Sequence, residues 1–247
     1  VNLRRDEIGF GDLLRRPGVT EVCELGSTFG FLAFHGGNLE RRTDEIASEA
    51  AARSGSSFYG VIQPAGLRHH IASVRVDPAH SPRLAAFLDH CRVVVAVHGY
   101  GRHGRWTQLL VGGGNRDLAA HVAGHLRRAL PAYQVVDDLA RIPAGLRGLH
   151  PSNPCNRTRA GGVQLELPPR VRGLTPMARW WPGSPARLPH VEDLVGALAA
   201  AASAWMAGAG GEEGASAVSP RPHAAPPGTS PWGWPAPASG PASTTSR

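Results

Sequence analysis

Apolar residues run almost unbroken through Phe29-Gly30-Phe31-Leu32-Ala33-Phe34 and stop at His35. A second run, Val93-Val94-Val95-Ala96-Val97, stops at His98. Residues 26–34 and 92–97 are therefore predicted as strands, and five consecutive apolar side chains in the second suit a strand buried on both faces, as at the centre of a parallel sheet. Shorter β-rich stretches at 57–63, 109–111, 133–136 and 163–167 predict further strands, and alternation at 70–76 predicts another.

Between them lie helical signals. A short helix is expected at 11–16 and a loop at 17–25. Residues 43–52 follow, with the Thr43 hydroxyl as cap, Asp44 and Glu45 against the positive end of the dipole, and Gly55 as stop. Ser81-Pro82 opens a helix to about residue 90, and Asn115 caps one over 116–130. An alanine-rich helix over 191–206 is placed against the sheet. Alternating strands and helices give an α/β fold with a mixed, mostly parallel sheet flanked by helices. Residues 143–162 are rich in Gly, Pro and polar side chains, and a loop of that length is more often functional than idle.

Composition divides the chain. Residues 1–206 read as a single domain, and the Gly, Pro, Ser and Ala of 207–247 read as a disordered tail. The formal charge is +7 over 247 residues, and every basic residue other than histidine is arginine, which points to genomic base composition as its source. The arginine pairs are scattered, so the charge suits a polyanionic partner without defining a patch. Cys23, Cys91 and Cys155 are odd in number and far apart, which argues against a disulfide framework. The opening Val1-Asn2-Leu3-Arg4-Arg5-Asp6 is followed by no apolar segment of a secretory signal, and no run is long enough to span a bilayer. A cytoplasmic protein without a membrane partner is expected.

The two strand-terminal histidines carry the chemistry. In open α/β sheets sites lie beyond the carboxyl ends of the strands, where His35 and His98 are each the first polar residue. Gly36-Gly37 turns the chain so that Glu40 returns to the same place. Zinc takes imidazole nitrogen and carboxylate oxygen, and three such ligands leave a fourth position open. His35, Glu40 and His98 meet that count, although a His and a Glu five apart are by themselves an ordinary surface pair. In Gly162-Val163-Gln164-Leu165-Glu166-Leu167, alternation puts Gln164 and Glu166 on one face. A carboxylate in a central strand needs a partner or a task, and Glu166 near a metal could shuttle a proton; in an edge strand it would simply face solvent. Arg157 suits bidentate capture of a carboxylate, Asn156 adds a donor, and His70 is placed to hydrogen-bond in the pocket or to serve structurally. Cys155 reads as a small buried side chain, since no base adjoins it.

Taken together, His35-Gly36-Gly37 with Glu40, His70-Ile71-Ala72-Ser73, His98-Gly99, Leu110-Val111-Gly112-Gly113, Asn153-Pro154-Cys155-Asn156-Arg157 and Gly162-Val163-Gln164-Leu165-Glu166 resemble the poly-γ-glutamate hydrolase family of bacteriophages and bacteria. The resemblance covers residues 18–172. It implies a zinc carboxypeptidase-like fold and hydrolysis of γ-amide bonds in polyglutamate. Site by site, it implies Zn2+ on His35, Glu40 and His98, Glu166 as the catalytic carboxylate, and Asn156 and Arg157 holding a substrate carboxylate or the developing oxyanion. Ala72 stands where the family has threonine, and the Gly- and Arg-rich segment 100–106 reshapes the pocket rim.

The expected function is thus a zinc-dependent hydrolase acting on a polyanionic γ-glutamyl polymer. The alternatives are a zinc amidohydrolase acting on cell-wall γ-glutamyl peptides or N-acyl amino acids, and a non-catalytic, prophage-derived nucleic-acid-associated protein. Against nucleic acid, there is neither a helix-turn-helix signal nor a basic stripe with interleaved aromatics. Oligomeric state is not legible.

Overall fold

A computed structural model of the chain describes residues 8–174 and 188–215. Residues 8–174 and 188–210 belong to one compact unit, and the expected tail beyond residue 215 lies outside the described residues. Seven strands build one sheet: β1 (Thr20–Glu24), β2 (Ser27–Gly37), β3 (Ser56–Gln63), β4 (Val93–Gly99), β5 (Gln108–Val111), β6 (Gln134–Val136) and β7 (Gly162–Leu167). Their order is β1-β3-β2-β4-β7-β5-β6. The β3-β2-β4-β7 centre is parallel, as is β5-β6, while β1 joins β3 and β5 joins β7 antiparallel. The mixed, mostly parallel sheet read from the sequence is the one observed.

Alternation sorts the core into two layers. Phe29, Phe31, Val93, Val95, Val163 and Leu165 face α2 (Thr43–Ser54), α4 (Arg116–Ala129) and α5 (Pro189–Ala215). Leu32, Phe34, Val94 and Ala96 face α1 (Phe10–Leu14) and α3 (Pro82–His90), whose Phe10, Leu13, Leu84 and Phe87 are buried there. Ser81 caps α3 by accepting from the Leu84 amide, and Asn115 caps α4 by accepting from the Leu118 amide, as the sequence implied. No helix among the described residues is long and apolar enough to cross a membrane.

Four local expectations change. Residues 70–76 are not a strand but an irregular segment with a 3-10 turn at Ser73–Arg75. Both edges of the adjoining β3 are already taken by β1 and β2, so the sheet offers this segment no ladder, and the amides of Arg75 and Val76 bond locally to Ala72 and Ser73. Residues 20–24, expected as loop, form β1; its half-buried mixture of charged and apolar residues suits an edge strand and hides the alternation. Thr43 does not cap α2: Arg42 precedes the helix with φ 72°, and the Thr43 hydroxyl donates back to the Glu40 carbonyl at 2.8 Å. The last helix reaches Ala215, past the expected 206.

Candidate functional site

The carboxyl ends of β2, β4 and β7 meet at a cavity of about 800 Å3 lined by His35, Glu40, His70, His98, Arg147 and Glu166 among others. β4 and β7 align His98 directly opposite Glu166, and β7 lies between β4 and β5, so Glu166 sits on a central strand and not an edge. It is 4% exposed, and Gln164 beside it is also buried.

His35 needs a separate explanation. Strict alternation after Phe31 and Ala33 would send it toward α2 and α5, on the opposite face from His98. The β2-β3 register shifts between Ala33 and Gly36, and such a bulge re-aims the side chain. His35 thereby lies with its ring 5.0 Å from His98 and 4.9 Å from His70. Phe34 presents its ring edge-on to both His35 and His98 at 4.8 Å and fills the space beneath them.

After the bulge the chain reverses. Gly37 has φ 67°, and a Cβ on it would lie 2.2 Å from the Gln63 carbonyl oxygen, so only glycine fits this turn. The Glu40 amide donates to the His35 carbonyl at 2.9 Å, and Asp44 accepts from the Gly37 amide at 3.0 Å. The glycine turn thus returns Glu40 to its histidine.

The Glu40 carboxylate is shared. Its Oε1 lies 3.0 Å from His35 Nδ1, its Oε2 lies 3.4 Å from His98 Nδ1, and Oε2 also accepts the Gly99 amide at 2.8 Å. Burial by itself would raise the Glu40 pKa, but His35 and His98 outweigh it and hold the carboxyl far below the ordinary range. For His98 burial pulls the pKa down and Glu40 more than reverses it. Glu166 moves the other way: burial pushes its carboxyl up, with Glu40 adding to the rise and His98 opposing it. The two carboxylates of one cavity therefore take opposite protonation tendencies.

The remaining ring nitrogens differ. His35 Nε2 is 2.8 Å from the Ile71 carbonyl oxygen, whereas the buried His98 Nε2 has no hydrogen-bond partner among the described residues. His70, which is exposed, also brings a ligand-type nitrogen into a cluster with His35 and Glu40 whose atoms all lie within 4.8 Å. Burial and the neighbouring His35 lower the His70 pKa, favouring the neutral imidazole that binds metals.

Two expected substrate contacts lie elsewhere. Asn156 accepts from the Gly114 amide and donates to the carbonyls of Gly148 and His150, so its amide ties loops together and is not among the cavity-lining groups. Arg157 is exposed and faces Asp77 at 3.4 Å, also outside the lining. Arg147 occupies the wall instead. Its Nε donates to the Ile142 carbonyl at 2.9 Å, and no ion pair engages it among the described residues. Cys155 is fully buried with its thiol pushed up to about 12 by burial, as expected for a packing residue.

Sequence reasoning also missed Arg172. It is 5% exposed, donates to the carbonyls of Leu167 and Arg41, and lies against Gly99, where a Cβ would come within 2.6 Å of its guanidinium carbon. Burial lowers its pKa to about 10 while Glu40 and Glu166 act to raise it, so a cation stands behind both carboxylates. The residue types along the chain carried no signal for this contact beyond two arginines, Arg170 and Arg172, after the last strand.

Fold and site define an α/β protein with a histidine and carboxylate cluster at the carboxyl edge of a parallel sheet centre, of a kind suited to holding a metal. The model of the poly-gamma-glutamate hydrolase family matches residues 15–175, and the chain belongs to that family. It is 30% identical over 147 residues to the UPF0714 protein YndL of Bacillus subtilis (strain 168), covering 58% of this chain and 54% of YndL. The chain thus spans about half the length of that relative. Among solved structures, a bacteriophage poly-gamma-glutamate hydrolase aligns with a TM-score of 0.63 and 22% identity over 76% of this chain and 90% of its own, a likeness of fold. The zinc-free apo form of YndL aligns with a TM-score of 0.54 and 28% identity over 63% of this chain and 74% of its own.

Proposed function

We propose that the chain is a zinc-dependent hydrolase that cleaves γ-glutamyl amide bonds in poly-γ-glutamate. The observation that carries this reading is the convergence of His35 and His98 on the two oxygens of Glu40, with Glu166 opposite His98 on the next strand. Family membership supports it, and so does the zinc-free form of YndL being that relative's apo state.

The residues fit zinc. Two imidazoles and a carboxylate are a donor set it accepts, the buried His98 Nε2 lacks a partner among the described residues, and the Ile71 carbonyl and Gly99 amide supply the outer contacts that orient such ligands. His35, Glu40 and His98 would hold the ion, leaving His70 for substrate because it is exposed where His98 is buried. Bound zinc would polarise the scissile carbonyl and acidify the attacking water.

The chain's own groups do the rest. Glu166 takes a proton from the attacking water at Oε2, which has no hydrogen-bond partner among the described residues, and delivers it to the leaving nitrogen. Its raised pKa suits both directions of transfer. Each γ-linked glutamate keeps a free α-carboxylate, and Arg147, a residue of the cavity wall, would receive one.

The test is loss of chain length in poly-γ-glutamate incubated with zinc-loaded protein, beside α-linked polyglutamate and a chelated sample. Shortening of the γ polymer alone, abolished by chelation, is the expected outcome. An intact γ polymer would refute the substrate, and shortening that survives chelation would refute the metal.

A further inference from the structure

Glu166 Oε1 accepts a hydrogen bond from Gln164 Nε2 at 2.8 Å, between two side chains on the same face of β7. The Gln164 amide is in turn oriented: its Oε1 accepts from Asn153 Nδ2 at 2.7 Å, and its Nε2 also lies 3.4 Å from the Leu146 carbonyl oxygen. Asn153 cannot turn freely, because its own Oδ1 accepts from the Cys155 amide at 3.2 Å. All three side chains are buried. Donor and acceptor are thus assigned in sequence, from a backbone amide through two side-chain amides to one oxygen of the carboxylate.

We propose that Gln164, oriented by Asn153, is a positioning residue that holds Glu166 Oε1 and thereby reserves Oε2 for proton transfer. This rests on the role assigned to Glu166 above. A carboxylate on a flexible stem could present either oxygen at several angles, and a base that is to meet both an attacking water and a leaving nitrogen works best with one geometry fixed. The surrounding backbone is shaped for this clamp: Gly148 has φ 65°, and a Cβ there would lie 2.5 Å from Gln164 Cβ and 2.6 Å from its Oε1. The same residues tie the base to the cavity wall, since Leu146, Gly148 and Asn153 all line it.

Two variants and one measurement without substrate test the clamp. Gln164→Met keeps the volume but not the amide. Asn153→Asp keeps the cap on Cys155 and removes the donor to Gln164, so the glutamine amide should turn and present its oxygen to Glu166. Each is expected to lower kcat about 10–100-fold with KM within about twofold and zinc content unchanged. In a Glu166→Ala background, Gln164→Met should change the residual rate less than about twofold, because the residue it serves is gone. A folded, zinc-loaded Gln164→Met enzyme at the wild-type rate would overturn the proposal, and so would an equal loss in the Glu166→Ala background. Independently, solvent exchange of the Gln164 side-chain amide protons, followed by NMR, should be slow in the wild type and faster in Glu166→Ala; no difference would also overturn it. Protein that leaves poly-γ-glutamate intact refutes the substrate reading, while the exchange measurement still decides the clamp.

Discussion

Replacing Glu166 with glutamine separates chemistry from architecture. Glu166 is 4% exposed, and its Oε1 takes the Gln164 amide at 2.8 Å, a bond that the carbonyl oxygen of a glutamine can keep. Shape and contacts therefore survive while the proton-carrying charge is removed. A positioned acid–base group contributes about 10²–10⁴-fold, so the activation barrier should rise by about 3–5 kcal/mol. Stability should move the other way. Burial raises the Glu166 pKa above its ordinary 4.5, and a carboxyl raised on folding stabilises the fold fully only below its unfolded value, losing that contribution as pH rises through the folded one. By pH 7 that contribution is diminished or lost, so the buried carboxyl stabilises the fold less than it does in acid. Zinc-free Glu166→Gln protein should unfold at or above the wild-type temperature at pH 7, with any advantage fading below about pH 4. In the wild type, turnover should decline as acid protonates Glu166 and removes the acceptor for the water proton. The assays are polymer length by size exclusion, bound zinc by elemental analysis and thermal unfolding across pH. Turnover within tenfold of wild type would refute the catalytic role, and a lower unfolding temperature at pH 7 would refute the burial argument.

Further outcomes follow from other contacts. His35→Ala and His98→Ala should each abolish stoichiometric zinc, whereas His70→Ala should keep zinc and lose substrate affinity; zinc loss in His70→Ala with retention in His98→Ala would exchange their roles. Gly99→Ala forces a methyl to within 2.6 Å of the buried Arg172 guanidinium, and such overpacking should destabilise the protein by about 1–3 kcal/mol in chemical denaturation. Arg147→Ala should raise KM for the polymer about tenfold or more, as loss of a charge-assisted hydrogen bond predicts, and Arg157→Ala less than about threefold; equal effects would return the substrate carboxylate to Arg157.

The features legible in the sequence were those carried by local pattern. Apolar runs with a polar terminus located β2 and β4, and alternation placed Gln164 and Glu166 on one face of β7. His35 and His98 were singled out as strand-terminal residues, and the structure brings both beside the Glu40 carboxylate. Other features depend on contacts between residues far apart in the chain. The pattern of 70–76 is strand-like, but whether it pairs depends on an edge that β1 had already covered. The bulge that re-aims His35 is a mismatch between two strands and belongs to neither alone. Asn156-Arg157 and Arg147 lie on one long loop, and composition cannot say which of its side chains turns inward. Arg172 meets Gly99 only once the chain has crossed β7 and returned.

The loop wall of the cavity is fastened by Asn156, whose amide grips Gly148 and His150 on one side and the turn before α4 on the other. His35, His98 and Glu166 stand on strands, and the wall is held to the sheet by Gln164 at the Leu146 carbonyl and by the Gly113 amide at the Arg147 carbonyl as well as by Asn156. Sheet and wall are thus linked through Gln164, the side chain that also bonds Glu166. Laboratory exchange of residues 144–150 between relatives should therefore retain Gln164 as well as Asn156, because a wall that no longer meets Gln164 also loosens its hold on Glu166.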